Sequence, residues 1–187
     1  MHYTLCDLLS DLTQNAIEAG STKIRVDLRE SDGEFAAVIA DDGRGMSPEV
    51  LKRATDPFWS DGVKHPGRKV GLGIPFLIQT AESTGGDWKI ESSDGSDGSP
   101  RGTTVSCRFD LANIDTPPVG DVAGYLRQAL TFDGSYEMTV TRETPRGSFE
   151  VRRSELLDAL GLAEEGSFTD AASLSLLGQY LESLLEE

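Results

Sequence analysis

Between Tyr3 and Ala19 the residues Leu5, Leu8, Leu9, Leu12, Ala16 and Ala19 recur at spacings of three and four, an apolar stripe that predicts an amphipathic helix. Asp7, Asp11, Asn15 and Glu18 fall on another face, and Gly20 ends the helix. Ile24, Val26 and Leu28 alternate with polar residues as a strand. Ser31-Asp32-Gly33 makes a turn, and Phe35 to Ala40 forms a second, more apolar and hence more buried strand. Ser47 followed by Pro48 supplies a hydroxyl cap and a proline at the first helical position, which predicts a short helix over 48–55. From Asp56 to Val70 no period survives the breakers Pro57, Gly62, Pro66 and Gly67. Leu72 to Ser83 reads as a helix with Pro75 tolerated in its first turn, and Gly85-Gly86 ends it. Trp88 to Glu91 and Thr103 to Phe109 read as two further strands around the polar, flexible tip Ser92 to Arg101.

Helix, hairpin, helix, loop, helix, hairpin is the order of an α+β protein: a two-layer α/β sandwich with a mainly antiparallel sheet. Thr116-Pro117-Pro118 marks a boundary. The expected division is a domain over 1–111 and a small α/β C-terminal appendage over 112–187, with helix over 121–132, a hairpin from 136–141 and 148–151, and helices over 154–161 and 170–186. Leu174, Leu177, Leu181, Leu184 and Leu185 give the last helix an apolar face that is expected to dock on its own domain.

Charge narrows the partners. The chain of 187 residues carries 32 acidic and 17 basic side chains, a net charge of −15, which disfavours nucleic acid and anionic membrane as partners. No apolar run reaches the roughly 18 residues of a membrane span, and the polar start lacks the regions of a signal peptide. A cytoplasmic protein is the expectation. Cys6 and Cys107 lack metal-ligand spacing and read as buried free thiols.

Three polar and glycine signatures then point to a nucleotide. Asp41 stands at the end of a buried strand, where a carboxylate is costly unless paired. An adenine amine would pair with it, whereas guanine presents a carbonyl there, so ATP is expected over GTP. Gly43 and Gly45, with Met46 closing the run Asp41-Asp42-Gly43-Arg44-Gly45-Met46, allow the backbone a sharp turn close to a flat base. A plain capped turn would use the same residues. Pro48 occupies the place of a third glycine, so the dinucleotide fingerprint is absent, as is the Walker loop. Gly71-Leu72-Gly73 opens a helix whose bare amides can hold a phosphate chain. The preceding loop adds Lys64, His65, Arg68 and Lys69, a cationic group unusual in so acidic a chain, although a solvated loop would also carry such residues. Asp11 and Asn15, four apart, share one helical face. Asn15 could give its amide oxygen to Mg2+, and Asp11 could orient or deprotonate an attacking water or hydroxyl.

Together with Gly102-Thr103-Thr104, these residues resemble the GHKL superfamily over about residues 4–109. These Bergerat-fold ATPases include gyrase, the large heat-shock chaperone, histidine kinases and mismatch-repair ATPases. Asp56-Pro57-Phe58-Trp59 and Gly71-Leu72-Gly73-Ile74 look most like the histidine-kinase catalytic domain. The resemblance implies ATP held between the sheet and a lid over about 47–70, with Asn15 as the magnesium residue and Asp41 as the adenine residue. Thr104 lies where a threonine helps hold adenine through water. Asp11 stands where family members with a catalytic base usually carry glutamate.

Histidine kinases carry a dimerisation and phosphoacceptor domain before this module, and here only three residues precede the first helix. The leading expectation is a histidine-kinase-like protein that uses Mg·ATP to phosphorylate, or change affinity for, a separate partner protein, as anti-sigma-type serine kinases do. An ATPase that dimerises on ATP is a second reading. The gyrase branch, which this reading resembles, needs a lysine from a following domain, and beyond 120 only Arg127, Arg142, Arg146, Arg152 and Arg153 are basic candidates. A non-enzymatic ATP sensor is the third.

Overall fold

The computed structural model describes residues 3–56, 73–163, 166–168 and 170–186. Thr4 opens α1 (Leu5–Glu18) with a capping box. Its hydroxyl accepts from the Asp7 N–H at 3.1 Å, and the Asp7 carboxylate accepts from the Thr4 N–H at 2.8 Å. The hairpin β1 (Lys23–Ser31) and β2 (Glu34–Asp41) follows, then α2 (Pro48–Ala54), α3 (Gly73–Thr84) and the hairpin β3 (Asp87–Ser93) and β4 (Gly102–Asp110). The chain continues through α4 (Val122–Thr131), β5 (Glu137–Thr144), β6 (Gly147–Arg152), α5 (Arg153–Ala159) and α6 (Ala171–Glu186). The sheet runs β3-β4-β2-β1-β5-β6, antiparallel throughout except where β5 lies parallel beside β1. This is the mixed, mainly antiparallel architecture that the order of elements predicts.

One face of the sheet carries the core. Ile24, Val26 and Leu28 of β1, Phe35, Ala37 and Ile39 of β2, Val105, Cys107 and Phe109 of β4, and Met138 and Val140 of β5 are all buried there, as strand alternation requires. The α1 stripe Leu5, Leu8, Leu9, Leu12 and Ala16 closes over them. The opposite face shows small and charged side chains tied into exposed pairs such as Arg25–Asp27 at 2.9 Å and Lys89–Glu91 at 2.9 Å, each a weak contribution to stability.

Residues beyond 112 build onto the same sheet and helix layer. The Leu5 and Cys6 N–H groups donate to the carbonyls of Pro118 and Val119, both at 2.9 Å. The Thr13 and Tyr125 hydroxyls, buried between α1 and α4, bond at 2.9 Å. The leucine face of α6 docks on the molecule itself, with Leu177 and Leu181 buried. Three of the arginines singled out by sequence are engaged within the chain. Arg142 pairs with Glu30 at 3.0 Å and Arg152 with Glu150 at 2.9 Å. Arg153, 4 % exposed, donates to the carbonyls of Leu130, Tyr136 and Gly166 at 3.0, 3.2 and 3.0 Å and lies over the Tyr136 ring.

Cys6 and Cys107 are buried free thiols. Burial pushes both up to about 12, so neither is a thiolate at neutral pH. No helix among the described residues is long and apolar enough to cross a membrane.

Candidate functional site

The end of β2 runs into a loop pressed from three sides. Asp41 pairs with Thr103 of β4 in register, on the helix-covered face that Ile39 and Val105 also share. Its Oδ1 accepts from the Gly43 N–H at 2.8 Å and from the Ser21 hydroxyl at 3.2 Å. Both of these bonds fall on Oδ1, and a carboxylate, with about four lone-pair sites, keeps acceptor capacity for a ligand amine. Burial raises the Asp41 pKa, and the bonds from Gly43, Ser21 and the Thr103 backbone recover only part of that cost. A half-desolvated carboxylate of this kind favours a further donor.

Asp42 differs. It faces out, and although slight desolvation works to raise its pKa, bonds from Thr22 and Lys23 hold it below the usual range. The Thr22 N–H, Thr22 hydroxyl and Lys23 N–H lie at 2.7, 2.6 and 2.8 Å. Asp42 therefore anchors the loop while Asp41 faces inward.

The glycines are fixed by contact. Gly43 is buried, and a Cβ there would lie 2.6 Å from the Ser21 hydroxyl and 2.7 Å from Ala19 Cβ. Gly45 has φ of +64°, and a Cβ would fall 1.7 Å from the Ser93 carbonyl oxygen, so backbone conformation and space both demand glycine. A Cβ on Gly102 would fall 2.1 Å from the Asp41 carbonyl oxygen. The Met46 N–H donates to the Ser92 hydroxyl at 2.9 Å, and that hydroxyl lies 2.8 Å from the Thr103 hydroxyl. The β3–β4 hairpin and the Asp41–Met46 loop thus form one floor.

The one hydroxyl hydrogen of Ser21 is shared between Asp41 and the nearer Ala16 carbonyl at 2.6 Å, which sets Asp41 at the C-terminal end of α1. Asn15 and Asp11 lie progressively further back along that helix, and Asp11 to Ala19 is about 12 Å of it. There α3 arrives. Its first residue, Gly73, is buried, and a Cβ would lie 3.2 Å from Asp11 Cβ and 3.6 Å from Asn15 Nδ2. The helix start of the glycine motif therefore meets the Asp11 and Asn15 face.

Asp41, Gly43, Gly45 and Met46 gather with the β3–β4 hairpin at the C-terminal end of α1, and Gly73 packs on Asp11 and Asn15 of the same helix. Thr104 pairs with Ala40 rather than Asp41, and alternation turns it to the other face of the sheet. Thr103, with Ser21, Ser92 and Gly102, takes the place beside Asp41. The apolar run Val105, Cys107, Phe109 carried that signal, since residues two apart share a face. Lys64, Arg68, Lys69, Gly71 and Leu72 lie outside the described residues, as does the part from 57 to 70 of the lid expected over about 47–70.

The chemistry of this donor set fits a purine nucleotide. One end offers a carboxylate acceptor in a floor without side-chain bulk. The other offers helix amides beside a carboxylate and an amide oxygen suited to phosphate and a hard cation.

Comparison with known proteins agrees. Residues 3–113 match the family described as histidine kinase-, DNA gyrase B-, and HSP90-like ATPase. The chain is 32 % identical over 123 residues to the histidine protein kinase DivJ of Caulobacter vibrioides, covering 61 % of this chain and 20 % of that protein. To the signal transduction histidine-protein kinase AfsQ2 of Streptomyces coelicolor it is 28 % identical over 118 residues, covering 63 % and 21 %. It therefore spans about a fifth of these relatives. Among solved structures, the ADP complex of the Aquifex aeolicus MutL ATPase domain superposes with a TM-score of 0.52 at 17 % identity, over 89 % of this chain and 70 % of that one. The N-terminal domain of a DNA repair protein gives 0.53 at 15 % identity, over 80 % and 51 %. These two likenesses show the fold. The chain belongs to the family of histidine kinase-, DNA gyrase B- and HSP90-like ATPases, and it carries that family's ATP-binding domain.

Proposed function

We propose that the cleft between α1, α3 and the β2–β4 floor binds Mg·ATP, and that the chain uses it to phosphorylate a separate protein or to change its affinity for one. The observation that carries this reading is the close approach of Gly73 to Asp11 and Asn15, along the half of α1 that leads to Asp41. Asp41 accepts from the adenine amine, with Thr103 and Ser92 beside it. The first amides of α3 hold phosphate oxygens, and Asn15 offers its amide oxygen to magnesium, which would neutralise phosphate charge when bound. Asp11 orients the attacking group or takes its proton. The names of DivJ and AfsQ2 as histidine protein kinases support protein as the acceptor class.

The fate of the terminal phosphate of labelled Mg·ATP tests this, with the purified chain and its Asp11→Asn variant. The expected result is nucleotide binding with label passing to protein only when a partner is added. Steady phosphate release by the chain alone, lost in the variant, would replace this reading with a free-standing ATPase. Binding with neither release nor transfer to any added partner would leave a nucleotide sensor.

A further inference from the structure

The sheet has two edges, and they are finished differently. At one, β3 meets the Asp41–Met46 loop: the Met46 N–H reaches the Ser92 hydroxyl, and Gly45 lies against the Ser93 carbonyl. At the other, β6 has β5 as its one neighbour in the sheet among the described residues. Alternate residues of an edge strand turn their N–H and C=O groups away from the sheet, which makes a template for another strand. Proteins guard such an edge with proline, a bulge or charge. The strand Gly147–Arg152 has no proline and runs in unbroken register with β5. It carries one charge of each sign, Glu150 and Arg152, so it does not repel a strand like itself.

Beside this edge lies an apolar groove. Val151 of β6, Leu156, Ala159 and Leu160 in and just after α5, and Leu176 and Tyr180 of α6 line it, with Glu150 and Arg152 alongside. Leu176 is 53 % exposed and Tyr180 44 %. They stand off the face of α6 that docks through Leu177 and Leu181, so the chain's own core does not claim them. Large apolar side chains gathered at a sheet edge mark an interaction surface.

Charge selects the occupant. Opposed residues of antiparallel strands share a face and sit close enough to interact, so β6 can meet a copy of itself in few registers. Centred on Glu150, the pairing would set that carboxylate against itself. Centred on Phe149, it would set Arg152 against Arg146. Centred on Val151, it sets Glu150 of each copy against Arg152 of the other. These two side chains already pair within the strand at 2.9 Å, and both are half exposed, so each is free to exchange its own partner for that of the copy. A two-fold axis at Val151 also keeps both helix layers on one side of a continuous sheet. There α5 and α6 of the two copies meet over the join and cover Leu176 and Tyr180.

We propose that this surface takes a second copy of the chain, with β6 against β6 in antiparallel pairing centred on Val151 and the two α5–α6 grooves closing on each other. The inference goes beyond the nucleotide reading and does not rest on it, because β6 is the sheet edge away from the β2–β4 floor.

Sedimentation velocity of the full chain without nucleotide tests it, at about 0.15 M ionic strength, which screens the mutual repulsion of two chains of charge −15 beyond about 8 Å. The expected result is a reversible monomer–dimer equilibrium. A monomer at every concentration up to about 1 mM would overturn the proposal and leave the groove to a different protein. Glu150→Arg and Arg152→Glu each put like charges at both crossings, and each alone should weaken the dimer roughly tenfold. Mixed together, with one of them fluorescently labelled, the two variants restore opposite charges at both crossings and should form a mixed dimer at least as tight as that of the parent chain. A dimer that neither variant weakens, or two weakened variants that do not recover on mixing, would overturn the pairing. Tyr180→Glu alters α6 alone and should weaken the dimer as well, and an unchanged dimer would place the contact outside the groove and overturn it. All three side chains are exposed, where substitution changes stability little.

Discussion

The two groups of candidate site residues along α1 are built to different tolerances. At the Asp41 end, main chain meets main chain: a Cβ at Gly45 or Gly102 would overlap a carbonyl oxygen at 1.7 or 2.1 Å. At the Asp11 end, the tightest approach is 3.2 Å, between the place of a Gly73 Cβ and the Asp11 Cβ, with the Leu12 side chain next at 3.3 Å. Backbone in a sheet cannot yield, whereas side chains on two helices can shift by tenths of an ångström. The Asp41 end is thus a preformed floor, and the Asp11 end is an adjustable contact between two helices. A site that must hold one constant ring and tell apart different phosphate chains has reason to be stiff at one end and soft at the other.

Gly45→Ala tests the stiff end and carries the largest expected effect. The left-handed backbone and the overlap with Ser93 together should cost about 3–5 kcal/mol of folding stability, a large part of the usual 5–15 kcal/mol for a domain. Urea denaturation measures it. A cost below about 1 kcal/mol would mean that the floor rearranges freely.

Asp41→Asn separates binding from folding at the same end. The asparagine oxygen can still accept from Gly43 and Ser21, so stability at neutral pH should hold or rise as a buried charge is removed. Nucleotide affinity should fall by about 1.5–3 kcal/mol, the worth of a charge-assisted bond. Calorimetric titration beside a thermal melt reads both. Equal losses in the two would make Asp41 a structural residue.

Gly73→Ala probes the soft end. Alanine gains up to about 1 kcal/mol of helix propensity over glycine in a helix interior, less at a first position, while the contact at 3.2 Å works against it. The net change in stability should stay within about 1 kcal/mol. Affinity for Mg·ATP should fall more than stability does, because the α3 amides move relative to Asp11 and Asn15. Unchanged affinity would place the phosphates elsewhere.

Most of this arrangement was legible in the sequence. The three-four stripe of α1, the Ser47-Pro48 start of α2 and the alternation of β1 and β4 each announced an element that the structure contains. What escaped were pairings and faces. Nothing in residues 137–144 tells that β5 will lie parallel beside β1, because alternation marks a strand and is silent on its neighbour. Arg153 was one of the basic candidates for a dimerising ATPase, and three backbone carbonyls and an aromatic ring hold it in the interior. Thr104 was the expected companion of Asp41, and parity along β4 puts Thr103 there instead. Motif spacing says which residues matter, while the pleat decides which of two neighbours faces the ligand.

The smallest effect is in the pH dependence, and it carries the contrast between Asp41 and Asp42. Burial raises the Asp41 pKa above its unfolded value. Between the two values the folded protein holds more protons than the unfolded chain, so stability falls as pH rises through that window. Asp42 has the opposite sign: its folded pKa is depressed, so its contribution is present above the unfolded value and lost as pH falls through the folded one. An adenine amine at Asp41 would reverse only the first trend, because it favours the charged carboxylate. Nucleotide should therefore bind more tightly as pH rises through the folded Asp41 pKa, while the nucleotide-free protein loses a little stability over the same range. Asp41→Asn should flatten both slopes, and Asp42→Asn should keep the binding slope and move it slightly to lower pH, because the Asp42 charge is the smallest of the causes acting on Asp41. Affinity that is flat with pH in the unaltered chain would show that the carboxylate does not meet the base.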